Sequence, residues 1–281
     1  MHGILRARLE RVEDRTIVTH QLAQHPLRLF VPPSDAGDPA ALLYLGMIAG
    51  GLLAGDRMET TLTLGPGAQA LATTQSASKI LTMEGDGFAT QHLRFDLADD
   101  AMLEYLPDEV IPFPGANAHQ ELDLHLAPTA RALLVDMITP GRIARDESFQ
   151  FHQYRSRLQV WRANQLILRD VVDLRPSEMA LPASGLLGTA THYASLVVVA
   201  PEADRTLADD LHTLLDSLHG VHGSASVGSS GLVIARLLGP ATEPVKQALS
   251  AAWRLARKRA LGRRGGTIPG KRHFEPLPSA S

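Results

Sequence analysis

The sequence predicts a mainly β protein: a single extended, β-helix-like stack of antiparallel-rich strands with two α-helices toward the C-terminus. Apolar residues recur at every second position through most of the chain up to Val199, which is the period of a strand. Turns rich in glycine and proline separate these runs at strand-like intervals. Beyond Val199 two segments change to a helical period. We therefore predict one domain over residues 1–281, with a core of about residues 1–261 and a basic tail at 262–281.

The alternation is clearest in residues 57–64, where Met58, Thr60, Leu62 and Leu64 share one face. Further strands are predicted at Ala68–Thr74, Phe88–Leu97, Met102–Leu106, Glu121–Leu126, Arg131–Ile138, Arg157–Trp161, Gln165–Leu174 and Ala194–Val199. Turn sequences lie between them at residues 65–67, 85–87, 112–115 and 139–141.

The two helices are predicted at Thr206–His219 and Thr242–Leu261. In the first, five leucines form one stripe, Thr206 and Asp209 resemble a capping box, and Gly220 suits the end. In the second, Glu243 and Pro244 open the helix and Gly262 follows it. Its apolar side is formed by Val245, Leu249, Ala252, Trp253 and Ala256.

The 281 residues contain no cysteine, which excludes disulfide scaffolds, thiolate metal sites and cysteine nucleophiles. The N-terminus has no apolar stretch of the kind that directs export, so we expect a cytoplasmic protein. The most apolar stretch, residues 40–54, is too short and too interrupted by glycine to span a bilayer. We therefore expect no membrane segment.

Charge is distributed unevenly along the chain. Residues 246–272 carry nine Lys and Arg and no acid, whereas the rest has 18 basic against 30 acidic residues. This basic segment could contact nucleic acid, but its only aromatic residue is Trp253, so a solvated helix face or a docking surface for an acidic protein is favoured.

Local catalytic motifs are absent: there is no phosphate-binding loop, zinc-protease helix, nucleophile elbow or dinucleotide fingerprint. His119, Glu121, Asp123 and His125 alternate on one strand, which favours a solvated face over a metal site because ligands in one row do not converge. Asp56, after a glycine-rich segment, caps a turn or lines a cavity.

Two acids are more informative because apolar runs surround them. Asp136 lies within residues 132–138 and Asp170 within residues 166–172. A buried carboxylate is costly, so each needs an Arg, a hydrogen-bond network, a cation or enclosed water. The alternatives are an Arg pair, for which Arg169 is adjacent, an outward-facing position, or a polar lining through the β core along which a hydrated cation passes.

Six short segments have the order and spacing of one known family. They are Gly50-Gly51-Leu52-Leu53-Ala54-Gly55-Asp56, Gly65-Pro66-Gly67-Ala68, Thr73-Thr74-Gln75-Ser76-Ala77-Ser78-Lys79, Leu103-Glu104-Tyr105-Leu106-Pro107, Ile111-Pro112-Phe113-Pro114-Gly115-Ala116 and Gly141-Arg142-Ile143-Ala144-Arg145-Asp146-Glu147-Ser148-Phe149. Together they resemble the urease accessory protein UreD/UreH family. Tyr105 stands where that family usually has Trp, and Asp146 where it usually has Gly.

The resemblance implies a chaperone without enzymatic activity that joins UreF and, through it, the GTPase UreG, binds urease apoprotein and assists nickel insertion. It also implies a β-helical stack with two helices. No tightly bound cofactor is expected, and nickel would be transient. On this hypothesis Asp56, Ser78, Asp136 and Asp170 line a polar passage. Candidates for docking UreF are Trp253, Arg254, Arg257, Arg263 and Arg264.

Two other classes of function remain as alternatives. A nucleic-acid-binding β protein would use the basic segment at 246–272 and bind with a steep salt dependence. A hydrolase would need a nucleophile and a base within hydrogen-bond reach in a concave pocket, and no local motif supports it.

Overall fold

Two β-sheets packed face to face, with two α-helices on the outer side of one of them, make up this protein. Its computed structural model describes residues 1–33, 38–183, 185–229, 231–263, 268 and 271. In chain order the strands are β1 (His2–Val12), β2 (Arg15–Gln24), β3 (Leu27–Phe30), β4 (Ala41–Met47), β5 (Arg57–Leu64), β6 (Gln69–Thr74), β7 (Ser78–Ile80), β8 (Ala89–Leu97), β9 (Met102–Tyr105), β10 (Val110–Pro112), β11 (Asn117–Leu126), β12 (Arg131–Ile138), β13 (Gly141–Arg142), β14 (Glu147–Ser148), β15 (Gln153–Arg162), β16 (Gln165–Leu174), β17 (His192–Val199), β18 (His222–Val227) and β19 (Leu232–Gly239). The helices are α1 (Arg205–Asp216) and α2 (Thr242–Ala260).

The chain alternates between the two sheets and so winds a β-solenoid of about four turns. Sheet A has the order β16-β15-β11-β8-β5-β1-β2, and sheet B the order β18-β19-β17-β12-β9-β6-β4-β3, with β7 and β10 attached. The strands β4 and β5, β6 and β8, β9 and β11, and β12 and β15 form the successive turns. Each turn places one strand in each sheet.

The predicted mainly β stack with two helices toward the C-terminus is confirmed. Antiparallel pairing occurs at the ends of the stack, as in β1 with β2 and β15 with β16. Within the four turns the strands pair in parallel, as β5, β8, β11 and β15 do. The expected richness in antiparallel pairs is therefore limited to the outer strands. A period of two reveals which face a side chain occupies but not the direction of the neighbouring strand.

Sheet A and sheet B differ in how much of them is covered. Buried and accessible residues alternate along β5 of sheet A, whose outer face is open to solvent. In sheet B, β9 is buried at every position, because sheet A covers one face and the two helices cover the other. The same double burial explains why β19 was not predicted from the pattern, since its apolar run lacks alternation. The edge strand β18 was missed for another reason: it consists mostly of small and polar residues, and none of them is fully buried.

The two helices were predicted to within a few residues. The start of α1 differs in its cap, since the carboxylate of Asp204, rather than Thr206, accepts a hydrogen bond from the Leu207 N–H at 3.0 Å. The predicted apolar side of α2 is observed, and it packs on sheet B, where Trp253 is fully buried. Among the described residues, neither helix has the length and apolar character needed to cross a membrane.

Candidate functional site

Polar side chains interrupt the apolar inner face of sheet A at one level. Gln91, Gln120 and Ser156 are register partners on the adjacent strands β8, β11 and β15. Residues two apart on a strand share a face, and the neighbours of Gln120 on that face, Ala118 and Leu122, are buried. The three polar side chains therefore lie in a row between the two sheets.

A second set of polar side chains faces this row from sheet B. Asp136 and Ser195 are register partners on β12 and β17, on the face of sheet B that points toward sheet A. Tyr105, on β9 of the same sheet, is buried and contacts the third cavity described below. We call these six residues, Gln91, Gln120, Ser156, Tyr105, Asp136 and Ser195, the polar seam.

Three cavities follow the polar seam. The first, of about 90 Å³, lies beside residues 49–52 and 74–79 and extends to Gln91 and Tyr105. The second is small, about 10 Å³. The third, of about 40 Å³, contains Asp136 and Asp170 in its lining. A water molecule needs a cavity volume of at least ~10–15 Å³, so the first and third cavities have room for water.

The cavities share lining residues, so they form a series. Ser78 and Gln91 line both the first and the second cavity, and Gln120 lines both the second and the third. Tyr105 lines the first and the third. The series runs from the glycine- and hydroxyl-rich segments at one end to Asp170 at the other.

The environment of Asp136 shifts its acidity. Its side chain is half-buried although it lies between the sheets, because its accessible surface faces the third cavity. Burial raises the pKa of Asp136 from 3.8 to about 6, and the nearby charge of Asp170 adds to the rise. The backbone N–H of Met137 and the Ser156 hydroxyl oppose it, the hydroxyl donating across the sheets at 3.4 Å.

Two buried tyrosines, Tyr105 and Tyr154, interact with the charge of the Asp136 carboxyl group. Burial, and after it the charge of Asp136, raises the pKa of Tyr105 and of Tyr154 above the usual value. Both hydroxyls therefore stay protonated near neutral pH and are available as donors to water or to a carboxylate.

Asp170 occupies the outer end of the third cavity and has a cationic partner. Its Oδ1 accepts a hydrogen bond from Nη2 of Arg236 at 2.8 Å. Arg236 lies on β19 of sheet B, whereas Asp170 lies on β16 of sheet A, so this ion pair joins the two sheets. The partner of Asp170 is thus Arg236 and not the adjacent Arg169.

Three of the four residues predicted to line a passage lie along the cavities. Ser78 lines the first and second, and Asp136 and Asp170 the third. Asp56 does not line any of these three. Its buried carboxylate accepts the Leu53 N–H at 2.9 Å and pairs with the amino group of Met1, so the turn-capping alternative is the one observed. Its predicted place in the passage lining is corrected accordingly.

Glu104 of the Leu-Glu-Tyr-Leu-Pro segment forms a buried charged cluster beneath α2. It is fully buried, accepts the Trp253 indole N–H at 2.8 Å and is paired with Arg257 at 3.0 Å. Arg263 approaches the same carboxylate at 3.5 Å. A carboxylate in this position requires such donors, because an unpaired buried charge is strongly unfavourable.

This cluster corrects part of the predicted docking surface. Trp253 and Arg257 are buried and stabilise the contact of α2 with sheet B, so they do not present side chains to a partner. Arg254 and Arg263 are half-buried. Arg264 lies outside the described residues. From the tail, Ile268 and Lys271 are buried against the body, and Lys271 pairs with Asp108 beside Pro107.

The Gly-Arg segment at 141–142 forms a two-stranded turn with residues 147–148. Arg142 pairs with Glu147 and lies 4.0 Å from the centre of the Phe113 ring. Gly141 has a φ of +139°, and a Cβ there would stand 2.1 Å from the Glu147 carbonyl oxygen. Asp146 has a φ of 55°, a left-handed conformation that glycine adopts without the steric cost of a side chain.

The remaining motif residues support the backbone around the first cavity. Thr73 is buried and donates to the Leu106 carbonyl at 2.6 Å, and Thr74 bonds to the backbone N–H of Asp108 at 2.9 Å. Gln75 and Lys79 are exposed, and both line the first cavity. Glycines of the first segment also have defined positions: Gly50 and Gly51 line the first cavity, and Gly55 has a φ of +80°.

Glu121 and Asp123 of the alternating row on β11 lie on a solvated face, as favoured from the sequence, whereas His119 stacks on Phe88 and also borders the second cavity. Glu121 pairs with Arg157 at 2.8 Å, and Asp123 pairs with His92 at 2.9 Å, on the outer side of sheet A. Over the described part of the chain, no three or more His, Cys, Asp or Glu side chains come together in a way that could hold a metal ion.

Sequence reasoning missed Gln91, Gln120, Ser156, Tyr154 and Arg236. A signal for three of them was present: β8 and β11 each carry one polar residue in phase with their apolar residues, and β15 carries Ser156 there, with Arg162 at its end. The patterns are Ala89-Gln91-Leu93 in β8, Ala118-Gln120-Leu122 in β11 and Tyr154-Ser156-Leu158 in β15.

Comparisons with known proteins are consistent across the chain. Residues 1–269 match the family model described as UreD urease accessory protein. The chain is 32% identical over 259 residues to a Haloarcula marismortui protein, covering 91% of this chain and 86% of the relative. It is 33% identical over 264 residues to an Alkalilimnicola ehrlichii protein, covering 92% and 87%, and 30% identical over 224 residues to a Lysinibacillus sphaericus protein, covering 80% and 84%. Each of these relatives is named urease accessory protein UreD.

Proposed function

Because this chain belongs to the UreD family of urease accessory proteins and so has a role in urease maturation, we propose that it is a scaffold through which nickel reaches the urease active site. In this proposal the chain joins UreF, and through it the GTPase UreG, to urease apoprotein in the cytoplasm. GTP is hydrolysed by UreG, and this chain catalyses no covalent step.

The observation that supports the proposal most directly is the series of cavities along the polar seam. Burying Gln, Asp and hydroxyl groups between two sheets opposes folding unless they find hydrogen-bond partners or water. Six such groups, contributed by six strands of both sheets, are difficult to explain by packing alone. A hydrated route across the β core accounts for them.

The chemistry of the seam suits a transient cargo better than a resident metal. Nickel(II) prefers imidazole and carboxylate ligands in well-formed sites, whereas the seam offers neutral oxygens and the carboxylate of Asp136. Asp170, at the outer end, is paired with Arg236. Such a lining would interact with a hydrated cation through water and release it readily, as transfer between proteins requires.

To test the proposal, we would replace Asp136 with Leu, co-express the variant with urease and the other accessory proteins, and measure nickel per urease active site. We expect at least a fivefold loss of urease nickel, because the apolar side chain fills the third cavity. Co-purification of the accessory complex must remain intact, so that the loss reports on transfer and not on assembly.

Glu121→Leu is the matched control. It introduces the same side chain and removes a carboxylate from β11 of the facing sheet, but Glu121 is on the solvated outer face and 43% exposed. Normal nickel content is expected for this variant. Full metallation of urease by an assembled Asp136→Leu complex would refute the passage.

A further inference from the structure

The row of side chains that contains Asp136 continues to a cation at the edge of the third cavity. Asp136, Ser195 and Arg236 are successive register partners on β12, β17 and β19. Neighbouring strands are ~4.8 Å apart, so Arg236 is two strand spacings, or ~10 Å, from Asp136 along this row. Asp136 and Ser195 line the cavity, and Arg236 follows immediately beyond them.

Arg236 does not point away from the interior. It occupies the same face of β19 as Leu232 and Ile234, which pack in the core between the sheets. From this face its guanidinium reaches across to sheet A and binds Asp170 at 2.8 Å. The side chain of Asp170 is only 18% exposed, whereas that of Arg236 is 47% exposed. The guanidinium therefore covers the outer side of Asp170 and remains reachable from solvent.

Resting on the proposed function, we infer that Arg236 is a positioning residue that controls whether a divalent cation can use the Asp170 end of the cavity series. While the guanidinium is bound to Asp170, this end offers no free carboxylate and repels cations. When the guanidinium leaves, Asp170 becomes a second carboxylate in the cavity that Asp136 already lines. The ion pair is thus a closure whose opening favours passage of the cation.

An ion pair that only ties two sheets together makes a different prediction. Removing either partner of a structural pair lowers the stability of the protein, so both substitutions should slow nickel incorporation. A closure predicts opposite effects on nickel incorporation. Loss of Arg236 frees the carboxylate of Asp170 and should speed incorporation. Loss of the Asp170 charge removes that carboxylate and leaves the positive charge of Arg236 without its partner, which should slow incorporation. The two halves of one ion pair therefore distinguish the two roles.

The experiment uses the purified accessory complex with apo-urease, nickel ions and GTP, and measures the initial rate of nickel incorporation. We expect Arg236→Ala to raise this rate at least threefold and Asp170→Asn to lower it at least threefold. Arg236→Lys, which keeps the positive charge, should retain the parent rate to within twofold. Recovery of intact complex is measured for every variant.

Arg131→Ala is the matched control. Arg131 forms an ion pair of the same length, 2.8 Å, with Glu202, and neither residue lines the three cavities. The parent rate is expected for this control. A rate for Arg236→Ala at or below that of the parent protein would overturn the inference, as would a change in the same direction for Arg236→Ala and Asp170→Asn. If Asp136→Leu blocks incorporation while Arg236→Ala has no effect, the passage stands and only the closure is rejected.

Discussion

Replacing Asp136 with Asn is expected to stabilise the protein near neutral pH. Folding raises the pKa of Asp136 from 3.8 to about 6, chiefly through burial. The folded protein therefore binds more protons than the unfolded chain between about pH 4 and pH 6, and its free energy of unfolding falls as pH rises through that interval. The free-energy cost of burying the ionised Asp136 carboxylate is absent below about pH 4 and fully present above about pH 6.

The size of the effect follows from the same shift. A tenfold change in proton affinity is worth about 1.4 kcal/mol, so the difference between 3.8 and about 6 corresponds to ~3 kcal/mol. Asn keeps the shape of the side chain but carries no charge to desolvate. Because it also loses the Ser156 hydrogen bond to a carboxylate, we expect a net gain of ~1–3 kcal/mol at pH 7.5.

Urea unfolding at pH 4.0 and pH 7.5, followed by circular dichroism, measures this difference. Parent and Asp136→Asn should be equally stable at pH 4.0 and diverge at pH 7.5 in favour of the variant. Asp86→Asn, at an exposed turn position, is the control and should follow the parent at both values. A variant that is less stable than the parent at pH 7.5, or that gains equally at both pH values, would refute the burial argument.

Two further predictions concern the motif residues that stabilise the fold. Glu104→Ala should lower the free energy of unfolding by ~3–5 kcal/mol in the same urea assay, because it leaves the guanidinium of Arg257 buried without its partner. Gly141→Ala should cost at least ~1–3 kcal/mol, because the φ of +139° is unfavourable for alanine and the new Cβ would collide with the Glu147 carbonyl oxygen.

Each of these substitutions has a comparison within the chain. Arg94→Ala removes an exposed ion pair with Asp96 and should lower the free energy of unfolding by less than ~1 kcal/mol. An equally small loss of stability for Glu104→Ala would contradict the argument that burial makes the Glu104 pair important. Gly85 also has a positive φ, of +61°, but has open space where a Cβ would lie. A larger loss for Gly85→Ala than for Gly141→Ala would contradict the steric argument.

The amino-acid sequence by itself was sufficient for five strands of sheet A, which are β5, β8, β11, β15 and β16, and for both helices, but β1 and β2 were not among the predicted strands. On β5 and β8 one face meets the core and the other meets water, so alternation appears directly in the residue order. The apolar stripe of α2 could be predicted for the same reason, because one side of the helix packs on the core and the other side meets water. The strand β19 was not, because both of its faces are covered and its residues carry no periodic contrast.

The candidate site was only partly visible in the sequence. Asp136 and Asp170 stood out because each is an acid within an apolar run, and this pattern indicates burial whatever the fold. Asp56 follows a glycine-rich segment and caps a turn, since its carboxylate accepts a hydrogen bond from the Leu53 N–H. Trp253 appeared suited to a surface contact, but its indole N–H satisfies Glu104 in the interior.

Local residue order therefore determined which segments are strands, which are helices and which acids are costly to bury. Tertiary structure alone decided that the strands pair in parallel, that Gln91, Gln120 and Ser156 share one level, and that Arg236 meets Asp170. The physical reason is that periodicity records only the burial of each side chain along its own element. Register and cross-sheet contacts depend on how turns of the solenoid stack, and they join residues that are 66 positions apart in the case of Arg236 and Asp170.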